Sequence, residues 1–268
     1  MENVYSIFQY SFIQKAFVAG SFVALLSSIL GLFLVLRRLS LIGDGLAHAS
    51  FGAIALGLFL GIYPFYISIP LVIVASLIIL KLSEKARLYG DAAIGVVSSI
   101  SIAIGIILTS ISKGFNADLF SYLFGNILVI GDDEVLLSII LSLTVLLVIY
   151  LFYYDLFSIT FNEELAKISG IKTKAINTLL VVLTAVTVVL SIRMVGIMLA
   201  SAFLVLPAVT ALQISKSFKS ALLFSVISGV FSVIIGIIVS FIFNLPTGAT
   251  IVLANFVLFI LSFFLKNR

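Results

Sequence analysis

The feature that most constrains this chain is a series of nine apolar segments, each about as long as an α-helix must be to cross a bilayer. Lipid offers the backbone no hydrogen bonds, so chains cross it as helices or closed barrels. The segments lack the alternation of polar and apolar residues that is typical of barrel strands. We therefore predict an all-α integral membrane protein, a bundle of eight or nine transmembrane helices, from segments 17–36, 46–62, 66–82, 92–111, 135–154, 175–192, 195–214, 221–243 and 249–265.

Composition excludes a water-soluble fold. Of the 268 residues, 63% are hydrophobic and 10% are charged, whereas soluble domains are about 45–50% apolar and about 25% charged. The lipid bilayer is therefore an obligatory partner, and we predict that one membrane domain covers residues 1–268. The N-terminal residues lack the pattern of a cleavable signal peptide, so we expect the first apolar segment to direct insertion.

The positions of the basic residues predict the orientation, because cytoplasmic loops carry an excess of lysine and arginine. With the N-terminus outside and the spans alternating, only Lys15, Lys113 and Arg193 of the 15 basic residues fall on the outer side. The C-terminus is then cytoplasmic. If one early segment is re-entrant or interfacial, the bundle has eight spans and the first loops invert.

Polar residues near the predicted outer face have simple interpretations. Arg193 interrupts the apolar run between the sixth and seventh segments. We interpret it as an interfacial residue of their outer turn, with a gate or a salt bridge as the alternative. The mixed stretch 115–130 is predicted to be an interfacial or half-buried segment and not a full span. Nearby acidic residues are interpreted as solvated loop charges, with attraction of a cation or of a loaded binding protein as the alternative: Asp118, Asp132, Asp133 and Glu134.

One pair of residues could carry chemistry inside the bundle. Asp44 and His48 are four residues apart, so they lie on one face of a helix. A carboxylate and an imidazole suit zinc, manganese or iron better than calcium or magnesium. The alternative is structural: Asp44 would cap the helix N-terminus, and His48 would hydrogen-bond to a neighbouring helix. The residues alone leave both interpretations open.

The stretch from Arg37 to Ala49, which contains Gly43-Asp44-Gly45-Leu46-Ala47-His48, resembles the signature of the permease family of zinc, manganese and iron ABC importers. Stretches 91–95, 195–208 and 245–253 are also similar to the family, in the family's order. The resemblance implies that Asp44 and His48 bind the transported metal ion in the translocation path. It also implies a multi-pass protein of the cell membrane, a homodimer, separate ATP-binding cassette ATPase subunits and an extracytoplasmic metal-binding protein.

The longest inner loop contains a short predicted helix at about residues 161–170. Asn162 is a plausible N-cap, Glu163 and Glu164 suit the first turn, and Gly170 is a typical stop. By itself this is an ordinary surface helix. The resemblance implies that it is the coupling helix that docks on the ATPase, with these residues forming its surface: Phe161, Asn162, Glu163, Glu164, Leu165, Ala166 and Gly170. The family usually has Asp where this chain has Asn162.

Several activities are not expected of this chain. The closest approach to a P-loop, Gly170-Ile171-Lys172-Thr173, lacks the required spacing, so we expect ATP hydrolysis in a partner and no enzyme activity here. No bound cofactor is expected, because the metal ion is cargo. The basic residues lie in loops, so no nucleic-acid partner is expected. Two alternatives stay open: an ABC permease for a metal chelate such as a siderophore or cobalamin, and a stand-alone secondary metal transporter or channel.

Overall fold

The computed structural model describes residues 10–85, 90–112, 117–127 and 130–266. Within these ranges all regular structure is helical. The helices in chain order are α1 (Ser11–Leu36), α2 (Ile42–Leu60), α3 (Pro64–Lys85), α4 (Gly90–Ile111), α5 (Ala117–Phe124), α6 (Asp132–Leu151), α7 (Tyr153–Phe161), α8 (Glu163–Ile168), α9 (Thr173–Val195), α10 (Ala200–Ile214), α11 (Phe218–Phe243) and α12 (Thr247–Lys266).

The predicted all-α bundle is confirmed. Over the described ranges, nine segments are long and apolar enough to cross a membrane, the upper of the two predicted numbers. The seventh of them consists of a 3₁₀ turn, Ile197–Leu199, followed by α10. α2 begins at Ile42, four residues before the predicted boundary at residue 46, because its polar and glycine-containing first turn is helical although it lowers the mean hydropathy. This start places Asp44 inside the helix.

The bundle has central and peripheral helices. In α1, α2 and α9, 72% of the most apolar stretch is buried, against 22% in α4 and 28% in α6. α4 and α6 therefore point many apolar side chains outward, Ile107 and Leu147 among them. Exposing such an apolar surface to lipid costs no free energy, whereas exposing it to water would be unfavourable. The candidate site lies in the first turns of α2, one of these central helices.

Three breaks in the chain meet through close backbone packing. Gly125 follows α5, Gly196 follows α9 and Gly248 lies in the first turn of α12. A Cβ atom at Gly248 would lie 2.5 Å from the carbonyl oxygen of Val195, and one at Gly125 would overlap the backbone of Gly196. Gly125 and Gly196 also have φ values of 72° and 82°, which glycine adopts without strain. Two of the stretches that the sequence singled out therefore meet at this junction.

The mixed stretch that was predicted not to span is the short helix α5. With eight residues, α5 is too short to cross a bilayer. Leu119, Tyr122 and Leu123 are buried against the rest of the bundle, so the segment is half buried, as predicted. Residues 113–116 and 128–129 of this region lie outside the described residues.

Candidate metal site and coupling segment

Asp44 and His48 face each other across the first turns of α2. Nε2 of His48 lies 3.5 Å from Oδ2 of Asp44. The N-cap position is occupied by Leu41, which supplies no side-chain cap. The carboxylate of Asp44 turns instead towards α10, where the hydroxyl of Ser201 donates to Oδ1 over 3.4 Å. The capping interpretation of Asp44 is therefore wrong: this carboxylate is presented to side chains and not to the helix backbone.

Ser201 is a polar residue of the site that the sequence analysis missed. It lies 157 positions from Asp44 and belongs to the first turn of α10, directly after the break at Gly196 and the 3₁₀ turn. Gly43 brings α2 close to α10 at this point, since a Cβ atom there would lie only 3.1 Å from Cδ1 of Leu204. A serine in an apolar segment is too common to be selected from the sequence. Its position becomes informative only when the fold brings it to the carboxylate.

The imidazole of His48 borders an apolar chamber. The cavity measures about 250 Å³ and is lined by His48, Phe51, Ile102, Ile106, Leu123, Ile197 and Met198. The side chains of His48 and Asp44 are 29% and 49% exposed, so neither is sealed in the protein interior. A hydrated ion could therefore reach the pair, while the apolar wall offers it no competing ligand.

The donor set is small. Among the described residues, no group of three or more His, Cys, Asp or Glu side chains could hold a metal ion together. Asp44 and His48 provide one oxygen and one nitrogen ligand, and Ser201 provides a weaker oxygen. The rest of a coordination shell would have to come from water or from another subunit. If a metal ion binds here, so small a donor set suits transient binding better than a resident metal centre.

The predicted cytoplasmic helix is present as α8. The side chain of Asn162 accepts a hydrogen bond from the backbone N–H of Leu165 at 3.0 Å, so the amide caps the helix as an aspartate would. Glu163 and Glu164 occupy the first turn, and Gly170 follows the helix with a φ of 89°. The apolar residues at and beside α8 divide into two groups. Ala166 is buried against the bundle, whereas Phe161, Leu165 and Ile168 are 59%, 60% and 82% exposed.

Aromatic side chains fix α7, the helix directly before α8, to the bundle. The ring of Phe218, in the first turn of α11, lies 5.0 Å from that of Phe157, 5.8 Å from that of Phe161 and 5.4 Å from that of Phe33 on α1, measured between centroids. Such pairs add specific geometry to their apolar burial. The end of α7 therefore packs, through Phe218, against the ends of both α1 and α11.

At the opposite end of α9, Arg193 belongs to a buried network. It lies inside α9, one turn before its end, and Nη2 donates to Oε2 of Glu134 at 2.7 Å. Glu134 also accepts from the hydroxyl of Tyr63, and the guanidinium lies 5.0 Å from the ring centroid of Tyr122. The side chains of Arg193 and Glu134 are 12% and 5% exposed. The interpretation of Arg193 as an interfacial turn residue is wrong, and the salt-bridge alternative is correct.

The interpretation of the acidic residues as solvated loop charges is wrong for Glu134 and holds better for Asp132. The carboxylate of Glu134 is buried because it pairs with the buried guanidinium of Arg193. Oε2 of Glu134 also accepts from the backbone N–H of Gly131 at 3.1 Å. The carboxylate of Asp132 is 81% exposed and forms an ion pair with Lys15 at 2.6 Å. Burial and the neighbouring Glu134 raise the pKa of Tyr63 above its usual range.

Comparison with known proteins relates the whole chain to metal permeases. The ABC 3 transport family model matches residues 9–266. The manganese import system permease protein ScaB of Streptococcus gordonii is 34% identical, over 100% of this chain and 96% of the relative. The high-affinity zinc uptake system membrane protein ZnuB of Haemophilus influenzae is 29% identical, over 94% of this chain and 97% of the relative.

A solved structure gives the same result for the fold. The complex of PsaBC from Streptococcus pneumoniae with a Fab contains a chain that superimposes with a TM-score of 0.87 at 33% identity. The superposition covers 97% of this chain and 94% of that chain.

Proposed function

Since the chain belongs to the ABC 3 transport family and is a multi-pass permease of the cell membrane, we propose that it carries a divalent metal ion, manganese or zinc, into the cytoplasm at the expense of ATP hydrolysed by a partner. Two relatives that cover nearly the whole chain are named for these two metals. The family membership argues against a stand-alone secondary transporter, and the names of the relatives favour the free ion over a metal chelate.

The observation that carries the proposal is the Asp44–His48 pair. A divalent ion cannot enter hydrocarbon with its charge uncompensated, because the loss of hydration costs tens of kcal/mol in a medium of low dielectric constant. One carboxylate and one imidazole, 3.5 Å apart and accessible, can replace part of the hydration shell at the first turns of α2. With Ser201 as the only further polar contact described above, the ion is held loosely enough to be released.

The partners follow from the family. The permease of an ABC importer works with an ATPase and a substrate-binding protein, and we propose two ATPase subunits on the cytoplasmic side and a binding protein outside. A homodimer of the chain is part of the proposal. A facing second subunit could supply the ligands that a single chain lacks, since the Asp44 side chain keeps about half of its surface free.

The direct test is uptake by the assembled transporter. In proteoliposomes that contain the chain, its ATPase and its binding protein, we expect radiolabelled manganese or zinc to accumulate when ATP is supplied on the ATPase side. A non-hydrolysable ATP analogue should reduce uptake to background. Equal uptake with and without ATP would contradict the ABC importer and revive a stand-alone carrier.

The exposed apolar residues of α8, together with Phe161 at the end of α7, give a second prediction. If Phe161, Leu165 and Ile168 dock on the ATPase, Leu165→Asp places an unpaired carboxylate in an apolar contact, and a central anchor of this kind is worth about 2 kcal/mol or more. We expect the ATPase to dissociate from the permease during purification and uptake to stop. Lys172→Gln, in the loop after α8, is a matched control because it changes the net charge by the same amount. Normal co-purification of Leu165→Asp would remove α8 from the interface.

A further inference from the structure

Three side chains form a closed ring at the cytoplasmic end of the bundle. Nη2 of Arg37 donates to Oε2 of Glu163 at 3.0 Å, and Nη1 donates to Oδ1 of Asn177 at 2.5 Å. The amide nitrogen of Asn177 donates to Oε1 of Glu163 at 2.8 Å, which closes the ring. Both carboxylate oxygens of Glu163 are thereby engaged, and so are both terminal nitrogens of Arg37.

The ring joins three parts of the chain that have different tasks. Glu163 is the first residue of α8, and Asn177 lies in the first turns of α9. Arg37 caps the C-terminus of α1 and opens the short link, residues 37–41, that leads into α2. Asp44 follows Arg37 by seven residues. The ring is therefore the polar contact between the helix that faces the ATPase and the link that positions the metal-site carboxylate.

The link is built to transmit a displacement. Its backbone turns back on α1, since the N–H of Leu39 donates to the carbonyl oxygen of Leu34 at 2.8 Å. It continues into α2 through the N–H of Ile42, which donates to the carbonyl oxygen of Leu39 at 3.1 Å. Arg38 has a φ of 58°, so the link has a defined conformation and is not a loose tether. A pull on Arg37 therefore reaches the start of α2.

The two charged side chains of the ring differ in how deeply they are buried. The Arg37 side chain is 10% exposed, and desolvation lowers its pKa, an effect that Glu163 opposes. Burying a guanidinium here without its hydrogen-bond acceptors would cost free energy. The planar guanidinium group also fixes the direction and the distance of the acceptor atoms. The Glu163 carboxylate is 47% exposed, so the ion pair adds little to overall stability. The ring therefore fixes the orientation of Arg37 relative to Glu163 and adds little to the stability of the protein.

We propose that Arg37 is the positioning residue that carries the movement of α8 to Asp44. When the ATPase displaces α8, Glu163 moves with it, Arg37 follows through the ring, and the α1–α2 link shifts the Asp44 carboxylate relative to Ser201 on α10. Asn177, which bonds to both Arg37 and Glu163, holds the two side chains at a fixed position relative to α9. This inference rests on the proposed function, because it names the route by which α8 acts on the candidate metal site.

The test is a double-mutant cycle in the reconstituted complex of permease, ATPase and binding protein. Glu163→Gln keeps the shape and removes the charge. We expect the maximal uptake rate to fall about tenfold, the KM for the metal ion to stay the same, and ATP hydrolysis to continue, so that more ATP is hydrolysed per ion transported. Arg37→Gln should have the same effect, and the double variant should be no worse than either single one, because all three break one ring. Arg37→Lys keeps the charge without the fork and should restore part of the rate.

The controls separate this inference from the function on which it rests. Asp155→Asn, on α7, makes the same change of charge outside the ring. If the unmodified complex shows no ATP-dependent metal uptake, the proposed function fails. If it does transport, but Glu163→Gln couples ATP to uptake normally, raises the KM or detaches the ATPase, then the ring is not the route and the inference is wrong. Additive effects of the two single variants would equally overturn it.

A distance measurement tests the same inference if a variant assembles poorly. The chain has no cysteine, so spin labels can be placed at Leu41→Cys and Lys167→Cys, at the starting end of α2 and on α8. Pulsed electron paramagnetic resonance should give the same distance with and without ATP, because the ring moves the two helices together. Adding Glu163→Gln should broaden or shift that distance on ATP binding. A distance that already changes in the chain with an intact ring would contradict the proposal.

Discussion

Asp44→Ala and His48→Ala should each reduce ATP-dependent metal uptake by at least about 10- to 100-fold, the range seen when groups that only orient metal ligands are removed, since the loss of a ligand itself should cost no less. If the proposed site is correct, each substitution deletes one of the two strong ligands found among the described residues, and the described lining of the cavity beside His48 is otherwise apolar. The measurement is uptake of radiolabelled manganese and zinc in proteoliposomes, with the amount of assembled complex determined in the same preparation. Asp44→Asn should be nearly as defective, because an amide cannot neutralise the charge of the ion.

Two further variants define the boundaries of the site. Ser201→Ala should reduce uptake only a few-fold, since a contact of 3.4 Å to Asp44 is a weak hydrogen bond. Ser50→Ala is the control: its hydroxyl lies on α2 near His48, but donates to the carbonyl oxygen of Leu46 and does not belong to the site. Normal uptake by both Asp44→Ala and His48→Ala would mean that the ion passes elsewhere, and the metal site would have to be abandoned.

The sequence reveals features that local spacing encodes. Helix length follows from apolar runs, the contact of Asp44 with His48 follows from a separation of four residues, and the cap by Asn162 follows from its place before two acidic residues. Each depends on neighbours within one or two helical turns. The nine spans and the short helix α8 were therefore predictable, with boundaries displaced by a few residues.

The features that could not be predicted from the sequence are contacts between residues far apart in the chain. Ser201 lies 157 positions from Asp44, and Asn177 lies 140 positions from Arg37. Nothing in the local pattern distinguishes such residues from ordinary polar ones, because the partner is chosen by how helices pack. The stretch that carries the family signature begins at Arg37, yet the sequence gives this arginine only the role of an inner-loop charge. The fold makes it the neighbour of Glu163 and so connects the two motifs.

The network at the far end of α9 has the opposite physical character to the ring at Arg37. In the ring the carboxylate of Glu163 is half exposed, so Glu163 can move with α8 while it stays bonded to Arg37. Arg193 and Glu134 are both almost fully buried, and they connect α9 and α6 with the turn between α2 and α3 through Tyr63. A buried pair of this kind is expensive to open. We therefore expect this end of the bundle to behave as a rigid support.

Glu134→Gln should destabilise the protein by about 3–5 kcal/mol, because it leaves the guanidinium of Arg193 buried without a countercharge. The measurement is thermal unfolding of the detergent-solubilised permease followed by the loss of monodisperse protein. Tyr63→Phe, which removes one hydroxyl and leaves the ion pair intact, should cost about 1.5–3 kcal/mol at most.

The combined variant Glu134→Leu/Arg193→Met decides whether the pair matters as a charge pair or as packing. Replacing both partners by apolar residues of similar size removes the uncompensated charge, so stability should recover most of what Glu134→Gln loses. If Glu134→Gln alone unfolds at the same temperature as the unmodified protein, the guanidinium has found other acceptors and the network is not a support. If the combined variant is stable but does not transport, transport needs this end of α9 to open. The apolar pair would then hold this end closed, because it has no hydrogen bonds that water can replace.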